Sequence, residues 1–183
     1  MCGIDGRLAG GPCGQQTLGT ARIGVDIGRV LMAPTDLEGR ADTSFLGAAE
    51  ADALRTPPSE GAFVVLRELT ALTHGKVWLV SKAGPRIQGL TRRWLEHWRV
   101  YETTGLPRDH VRFCLQRRDK ATHAVELRLS HFIDDRLDVL GHLRGIVAWL
   151  YLYGHQRPGT IPPAWATPVL SWGEVRRTLV EHP

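Results

Sequence analysis

Short apolar runs alternate with longer amphipathic segments along most of the chain. The runs are brief and rich in branched and aromatic side chains, which is typical of strands buried on both faces of a sheet. The five predicted strands cover residues 21–25, 76–81, 111–115, 131–133 and 145–151. The longest apolar stretch, residues 146–153, is far shorter than the ~20 residues of a membrane helix, so no membrane span is predicted.

The segments between these runs carry apolar residues at helical spacing. The predicted helices cover residues 61–72, 87–98, 120–129 and 175–181, and a weaker helical pattern covers residues 45–54. Ser171 and Glu174 match a capping box ahead of the last helix. The alternation of buried strand and amphipathic helix predicts an α/β fold, a three-layer doubly wound parallel sheet with helices on both faces.

The pattern also divides the chain into regions. Residues 1–20 show no periodicity and are predicted to be a flexible N-terminal segment. Residues 21–183 are predicted to form one core domain, which suits the length of the chain. Residues 33–60 are polar and contain prolines, and they are predicted to be a small insertion in that domain.

Composition narrows the class of protein. The 183 residues are 43% hydrophobic and 23% charged, which excludes wholesale disorder. A net charge of +4 and a pI of about 9.3 fit a small anionic substrate as well as nucleic acid. The three cysteines form no CxxC pair, so neither a thiolate zinc site nor a disulfide-rich secreted scaffold is expected. No signal peptide is visible, which indicates a cytoplasmic protein.

Polar residues suited to phosphoryl chemistry follow three of the predicted strands. Asp26 ends the first strand, Ser81 the second, and the pair Asp134-Asp135 the fourth, while Lys120 opens the helix before the fourth. Ligands of open parallel sheets bind beyond the carboxyl ends of the strands, so we expect these side chains to converge. Carboxylates are the ligands that Mg²⁺ prefers, and a lysine neutralises phosphoryl oxygens. A carboxylate can itself attack phosphorus to give an aspartyl-phosphate.

Four motifs in this order resemble the haloacid dehalogenase-like (HAD) hydrolase superfamily. The first is Ile-Gly-Val-Asp-Ile-Gly-Arg-Val-Leu at residues 23–31, which is similar to a strand followed by D-x-D-x-[TV]-L. The others are Trp-Leu-Val-Ser at residues 78–81, Lys120, and Phe-Ile-Asp-Asp at residues 132–135. The Pro-Pro-x-x-Gly-Ala stretch at residues 57–62 looks like the small nucleotidase-type members. The resemblance covers residues 23–135.

The resemblance implies a HAD-like, Rossmannoid core and a role for each motif residue. Asp26 would be the nucleophile and an Mg²⁺ ligand, the backbone carbonyl of Gly28 a second ligand, and Asp134 and Asp135 would complete the metal site. The phosphoryl group of a small phosphorylated substrate would be held by Ser81 and Lys120, with Lys82 counted among the substrate-binding residues. The insertion at 33–60 lies where such proteins carry a cap, and its small size leaves the site open or covered by a second subunit of a homo-oligomer.

Gly28 departs from the pattern of the family's phosphatases. They usually carry a second Asp at this position, which protonates the leaving group and later activates water. General acid–base help typically contributes ~10²–10⁴-fold to a rate. Three outcomes therefore stay open: a substrate with a good leaving group, a proton from another group, or a protein that binds a phosphorylated ligand without turnover.

The sequence thus supports two main hypotheses and one weaker one. The first is an Mg²⁺-dependent phosphohydrolase or phosphotransferase working through Asp26. The second is a catalytically silent HAD-like protein that binds a phosphorylated ligand or a protein partner. The third, nucleic-acid binding or processing, rests on the arginine-rich face of the predicted helix at 87–98 and is disfavoured, because such a face is usually only solvated.

Overall fold

The computed structural model describes residues 18–32, 36–40, 45 and 49–181. The predicted flexible segment therefore lies outside the described residues, except for residues 18–20, which form a 3₁₀ turn. Six strands form one sheet. They are β1 Ile23–Val25, β2 Val77–Lys82, β3 Val111–Cys114, β4 His131–Asp134, β5 Trp149–Tyr153 and β6 Thr167–Val169.

All neighbouring strands in the sheet are parallel, in the order β3-β2-β1-β4-β5-β6. The central strand β1 pairs with β2 on one side and β4 on the other, so that Val25 lies beside both Leu79 and Ile133. The strand order runs outward in opposite directions from β1 and from β4, which is the arrangement of a doubly wound, Rossmann-like sheet. The predicted α/β fold class is confirmed.

Helices connect the first five strands in turn, and a last helix follows β6. They are α1 Glu50–Leu54, α2 Ala62–Leu72, α3 Pro85–His97, α4 Val100–Thr104, α5 Lys120–Glu126, α6 Leu137–Leu143 and α7 Trp172–Arg176. A π-helical turn, Arg177–Glu181, continues α7, and short 3₁₀ turns, Arg108–His110 and Arg117–Asp119, precede β3 and α5. The Ser171 side chain accepts a hydrogen bond from the backbone N–H of Glu174, as a capping residue does.

The sheet separates two hydrophobic cores, because alternate residues of a strand face opposite sides. One core holds Val25, Leu79 and Ile133 together with buried residues of α2, α3 and α7. The other holds Val80 and Phe132 together with buried residues of α5 and α6. The domain therefore has three layers, with helices on both faces of the sheet.

The structure differs from the predicted elements in the start of the fifth strand and in three short elements that the sequence pattern did not reveal. The fifth strand begins at Trp149, since residues 143–147 turn: the N–H groups of Ile146 and Val147 both donate to the carbonyl of Leu143. Helices α4 and α6 and strand β6 were not predicted. Each is seven residues or shorter, so none repeats its apolar pattern often enough to be recognised.

The described part of the 33–60 insertion packs against α3. Helix α1 lies within the segment whose weak helical pattern covered residues 45–54, and residues 33–35, 41–44 and 46–48 of the insertion lie outside the described residues. The indole N–H of Trp98 donates to the carbonyl of Leu54 at 3.0 Å, and that of Trp94 donates to Thr56 at 2.8 Å. None of the helices in the described ranges has the length and apolar character needed to cross a membrane.

Candidate active site at the centre of the sheet

The two central strands bring the first and last motifs together. Asp26 directly follows β1, and its backbone N–H donates to the carbonyl of Ile133 in β4 at 2.9 Å. Asp134 is the last residue of β4, and Asp135 follows it. The order of the strands reverses between β1 and β4, and such a switch point opens the crevice in which ligands of doubly wound sheets bind. All three side chains are buried.

Lys120 joins the two strands through its ammonium group. Its Nζ donates to Oδ1 of Asp26 at 2.6 Å and to Oδ2 of Asp134 at 2.7 Å. Lys120 is the first residue of α5, and only 2% of it is exposed. The 3₁₀ turn Arg117–Asp119 leads into the helix and is capped reciprocally by Gln116 and Asp119. From this helix start, the long side chain of Lys120 extends to the carboxyl ends of β1 and β4.

Asp26, Asp134 and Asp135 form a compact group of carboxylates. Each offers one oxygen, and these oxygens lie within 4.8 Å of one another. Oδ2 of Asp135 pairs with Nε of Arg29 at 2.9 Å, whereas its Oδ1 is buried and has no hydrogen-bond partner in the described part of the chain. A buried carboxylate oxygen without a partner is costly, and a cation would satisfy it.

The charges at the site shift the pKa values of its members. Burial alone would lower the pKa of Lys120, but attraction to Asp134 and Asp26 outweighs burial and raises that pKa. Burial raises the pKa of Asp134, an effect that Lys120 opposes. Burial also raises the pKa of Asp135, and the charges of Asp134 and Asp26 raise it further. Lys120 thus stays protonated, and with all three aspartates ionised the site would carry one negative charge more than its two cations, Lys120 and Arg29, can balance.

The residues at this site fit a hard divalent cation such as Mg²⁺. Mg²⁺ takes oxygen ligands, usually one or two carboxylates together with water and phosphate oxygens. The three clustered aspartates supply carboxylate oxygens, and the orphaned Oδ1 of Asp135 is the atom that most needs such a partner. This donor set suits other hard cations as well.

Gly28 lies two residues after Asp26 in the turn that follows β1. An added Cβ at Gly28 would meet no heavy atom within 4 Å, so the position has room for a side chain. The Gly at this position therefore reflects no steric requirement in the described structure. The expected use of its carbonyl as a metal ligand stays a prediction.

Ser81 and Lys82, the last two residues of β2, are the other predicted contacts of the phosphoryl group. Ser81 is the penultimate residue of β2 and is buried, but no hydrogen bond joins it to Asp26, Lys120 or the aspartate pair among the residues described. By strand alternation it shares the face of Leu79, opposite to that of Val80. Lys82 is exposed and lines a separate cavity on the surface. Their predicted contacts with a phosphoryl group stay predictions.

Two residues at the site were not assigned to it from the sequence. Arg29 pairs with Asp135 and adopts a left-handed backbone conformation with a φ of 64°, which is uncommon for a residue other than glycine. The backbone N–H of Arg136 donates to Oδ1 of Asp134 at 2.9 Å. The position of Arg29 within the first motif was a usable signal, whereas a backbone N–H leaves no trace in the sequence.

Comparisons with known proteins support the fold alone. No family model and no curated protein matches the sequence. Among solved structures, the chain is similar to a chain of DsGPDH from Dunaliella salina, with a TM-score of 0.56 and 15% identity. The match covers 87% of this chain and 29% of that chain. At such an identity, the similarity shows that the two share a Rossmann-like α/β architecture.

Proposed function

We propose that this protein is an Mg²⁺-dependent phosphohydrolase or phosphotransferase of the HAD type, acting on a small phosphorylated substrate through an aspartyl-phosphate at Asp26. One observation carries the proposal. The ammonium group of Lys120 is buried between Asp26 and Asp134 at the switch point of the sheet, beside an Asp135 oxygen that has no partner among the described residues. Three of the four ordered sequence motifs supply these residues, namely those that contain Asp26, Lys120 and the Asp134-Asp135 pair.

Lys120 acts as a fixed positive charge. Since its pKa is raised, it stays protonated at neutral pH and cannot serve as a general base. By donating to Oδ1 of Asp26, it holds that carboxylate in place and leaves Oδ2 as the nucleophilic oxygen. The same charge would offset the negative charge of a phosphoryl group that approaches the carboxylates.

The reaction would proceed in two displacements at phosphorus. In the first, an oxygen of Asp26 forms a bond to phosphorus as the bond to the leaving oxygen breaks, and the leaving group departs with that electron pair. In the second, water attacks the same phosphorus, loses a proton to the medium, and releases phosphate while Asp26 regains its carboxylate. Mg²⁺ held by Asp26, Asp134 and Asp135 would supply charge neutralisation for the phosphoryl oxygens.

Gly28 points to a substrate whose leaving group needs no proton. A glycine supplies no acid at the position two residues after the nucleophile. The carboxylate of an acyl phosphate and the aryloxide of an aryl phosphate leave as stable anions. The alkoxides of sugar and nucleoside phosphates need protonation. The preferred substrates are therefore expected among the first two classes.

Phosphate release with Mg²⁺ tests the proposal. The panel contains acetyl phosphate, an aryl phosphate and several alkyl phosphates, and the enzyme is compared with Asp26→Asn and Lys120→Met. We expect release from the first two substrates, with a loss of at least ~10³-fold in Asp26→Asn, because a nucleophile is removed. Asp109→Asn, an exposed carboxylate, is the matched control. Equal activity of Asp26→Asn and the unmodified protein would reject the mechanism.

The missing acid also favours a second candidate function. A catalytically silent protein would bind Mg²⁺ and a phosphorylated ligand at the same carboxylates without turnover. Calorimetry with Mg²⁺ and inorganic phosphate, run alongside the release assay, separates the two. Binding that depends on Asp135, combined with no release from any member of the panel, supports the silent protein and rejects the enzyme.

A further inference from the structure

A shallow, open polar cavity lies at the same edge of the sheet as the carboxylates. It has a volume of about 400 Å³, and its lining comes from the end of β2, the loop after β3, the turn before α5 and helix α6. The residues that line it are Lys82, Leu115, Gln116, Arg117, Arg118, Asp138 and His142. Of these residues, only Lys82 was assigned to substrate binding from the sequence, and the proposed reaction uses none of them.

The cavity is positively charged. Lys82, Arg117 and Arg118 face a single carboxylate, that of Asp138, so the lining carries a net charge of +2 with His142 neutral. Asp138 is already engaged outside the lining, since Nε of Arg136 donates to its Oδ1 at 3.0 Å. The cations therefore have less compensation than their number suggests. Three like charges in one concavity repel one another, and a bound anion relieves that repulsion.

Several donors in the cavity are uncommitted. Within the ranges that the structure describes, the side chains of Lys82 and His142 have no hydrogen-bond or ion-pair partner. The guanidinium of Arg118 lies 3.9 Å from Asp119, and that of Arg117 lies 3.5 Å from Asp138, both long distances for charged pairs. These side chains can turn to an incoming anion without breaking a strong contact.

The cavity is linked to the carboxylate site by a short chain of contacts. Arg117 precedes Lys120 by three residues in the turn that leads into α5. Arg117 also contacts Asp138, which binds Arg136, and the backbone N–H of Arg136 donates to Asp134. Lys82 follows Ser81 at the end of β2. The cavity and the carboxylates therefore lie along the same carboxyl edge of the sheet.

From these observations we infer that the cavity binds a second anionic group, a phosphate or a carboxylate, of the substrate whose phosphoryl group lies at Asp26. The inference rests on the proposed function for the position of the first group. It narrows the substrate class to small phosphorylated compounds with a second negative charge at their other end. Cationic side chains in a concave site bind such groups through charge-assisted hydrogen bonds.

Calorimetry with phosphonates tests the inference without interference from turnover, since the carbon–phosphorus bond is not hydrolysed in this reaction. Alkyl phosphonates are titrated in the presence of Mg²⁺ and compared with bisphosphonates and ω-phosphonoalkanoates of the same chain lengths. We expect at least one ligand with two anionic groups to bind about 10-fold or more tightly than the monophosphonate of the same chain length. The bisphosphonate and carboxylate arms identify which second anion is preferred, and an advantage in either arm supports the inference.

Two double variants locate the effect. In Arg117→Gln/Arg118→Gln, the affinity advantage of the ligand with two anionic groups over its monophosphonate should fall to less than about threefold. In Arg67→Gln/Arg99→Gln, which removes the same charge from exposed positions outside the cavity, the advantage should persist. The inference would be overturned by equal binding of ligands with one and with two anionic groups at every length. It would also be overturned if both double variants lost the affinity advantage equally. Phosphate release that depends on Asp26 is measured separately and reports on the proposed function alone.

Discussion

Three buried carboxylates crowd the carboxyl edge of β1 and β4, against one buried ammonium and one partly exposed guanidinium. The local charge is therefore negative when all five groups are ionised. Asp135 is the most strained member electrostatically, because burial and the charges of Asp134 and Asp26 all raise its pKa. A carboxyl whose pKa is raised on folding costs stability as the pH rises above its unfolded pKa of 3.8, and the cost is complete above its folded pKa.

Replacing Asp135 with Asn is expected to stabilise the metal-free protein. At neutral pH a carboxyl whose pKa is raised to about 8 must take up a proton on folding, and Asn avoids that cost, so we expect the free energy of unfolding to rise by about 1–3 kcal/mol. Under the proposed function the same change also removes a metal ligand, so any stabilisation that Mg²⁺ gives the unmodified protein by mass action should be largely lost. Urea unfolding with EDTA and with Mg²⁺ measures both effects.

The exposed carboxylate of Asp109 provides the control for this experiment. Asp109→Asn should change the free energy of unfolding by less than about 0.5 kcal/mol, as exposed substitutions usually do. A destabilised Asp135→Asn without metal would show that the ion pair with Arg29 matters more than the repulsion. A variant that Mg²⁺ stabilises as much as the unmodified protein would remove Asp135 from the metal site.

Gly28→Asp is expected to restore the missing acid. The position accepts a Cβ without contact, so the substitution should fold. We expect hydrolysis of alkyl phosphates to rise by at least ~10-fold, since general acid help is worth ~10²–10⁴-fold when well positioned. Gly28→Asn, of similar volume but without an acidic proton, is the matched control. Equal rates for the two variants would contradict a role in proton transfer.

At the scale of single elements, the sheet depends on a glycine in its central strand. A Cβ at Gly24 would lie 2.5 Å from the ring of Phe132 and 2.7 Å from Cδ1 of Leu129, well inside van der Waals contact. Both neighbours belong to the core formed with α5 and α6. The glycine thus lets the Phe132 ring pack close against β1, near the residues that lead to Asp26 and Asp134.

Gly24→Ala is therefore expected to destabilise the protein. Overpacking a core by one methyl group typically costs about 1–3 kcal/mol, and here the contacts are with a rigid ring. Gly89→Ala, inside α3, is the contrasting variant and should stabilise by roughly 0.5–1 kcal/mol through helix propensity. Thermal and urea unfolding of the two variants check the signs. A neutral Gly24→Ala would mean that the strand and ring shift apart freely.

The elements that could be predicted from the sequence are those with several repeats of an apolar pattern. Helices α2 and α3 and the four strands β1 to β4 fall where the pattern placed them, to within a few residues. Strand β6 has three residues, including Pro168, and is defined by its pairing with β5. Such an edge strand exists because a neighbour offers hydrogen bonds, and a local pattern does not encode that neighbour.

The candidate site was predictable to the extent that it depends on topology. Once alternating strands and helices imply a parallel sheet, residues at the carboxyl ends of β1 and β4 must meet, and Asp26, Asp134 and Lys120 do. The face on which each side chain lies was harder to predict. Ser81 also follows the rule of strand ends, but the period of two in β2 turns it to the face opposite that of Val80.

At the scale of the whole molecule, the arginine-rich face of α3 is largely engaged within the domain. Nε of Arg93 pairs with Glu50 of α1 at 2.6 Å, and the guanidinium of Arg92 lies 5.1 Å from the centre of the Phe113 ring. These contacts tie the insertion and β3 to the helix. They give Arg92 and Arg93 partners within the domain.

The response of the whole fold to acid depends on a histidine at the opposite edge from the site. His131 begins β4, is stacked against Trp149 and Tyr151, and has Nδ1 at 2.8 Å from Oγ of Ser130. Burial lowers the pKa of His131 to about 4. In the unfolded chain its pKa is near 6.5, so between these values the unfolded state binds more protons.

The stability contributed by neutral His131 is therefore present above pH ~6.5 and is lost as the pH falls toward 4, by about 3 kcal/mol at most. The aspartates at the site contribute to the pH dependence of stability with the opposite sign, since their raised pKa values favour folding as they become protonated.

His131→Phe keeps the stacking, and Ser130 still bonds to the backbone of Arg22. Urea unfolding from pH 7 to pH 4 should thus show a shallower loss, or even a gain, in this variant. The exposed His97→Phe should follow the unmodified protein, and parallel profiles for His131→Phe and the unmodified protein would exclude His131 as the source of acid sensitivity.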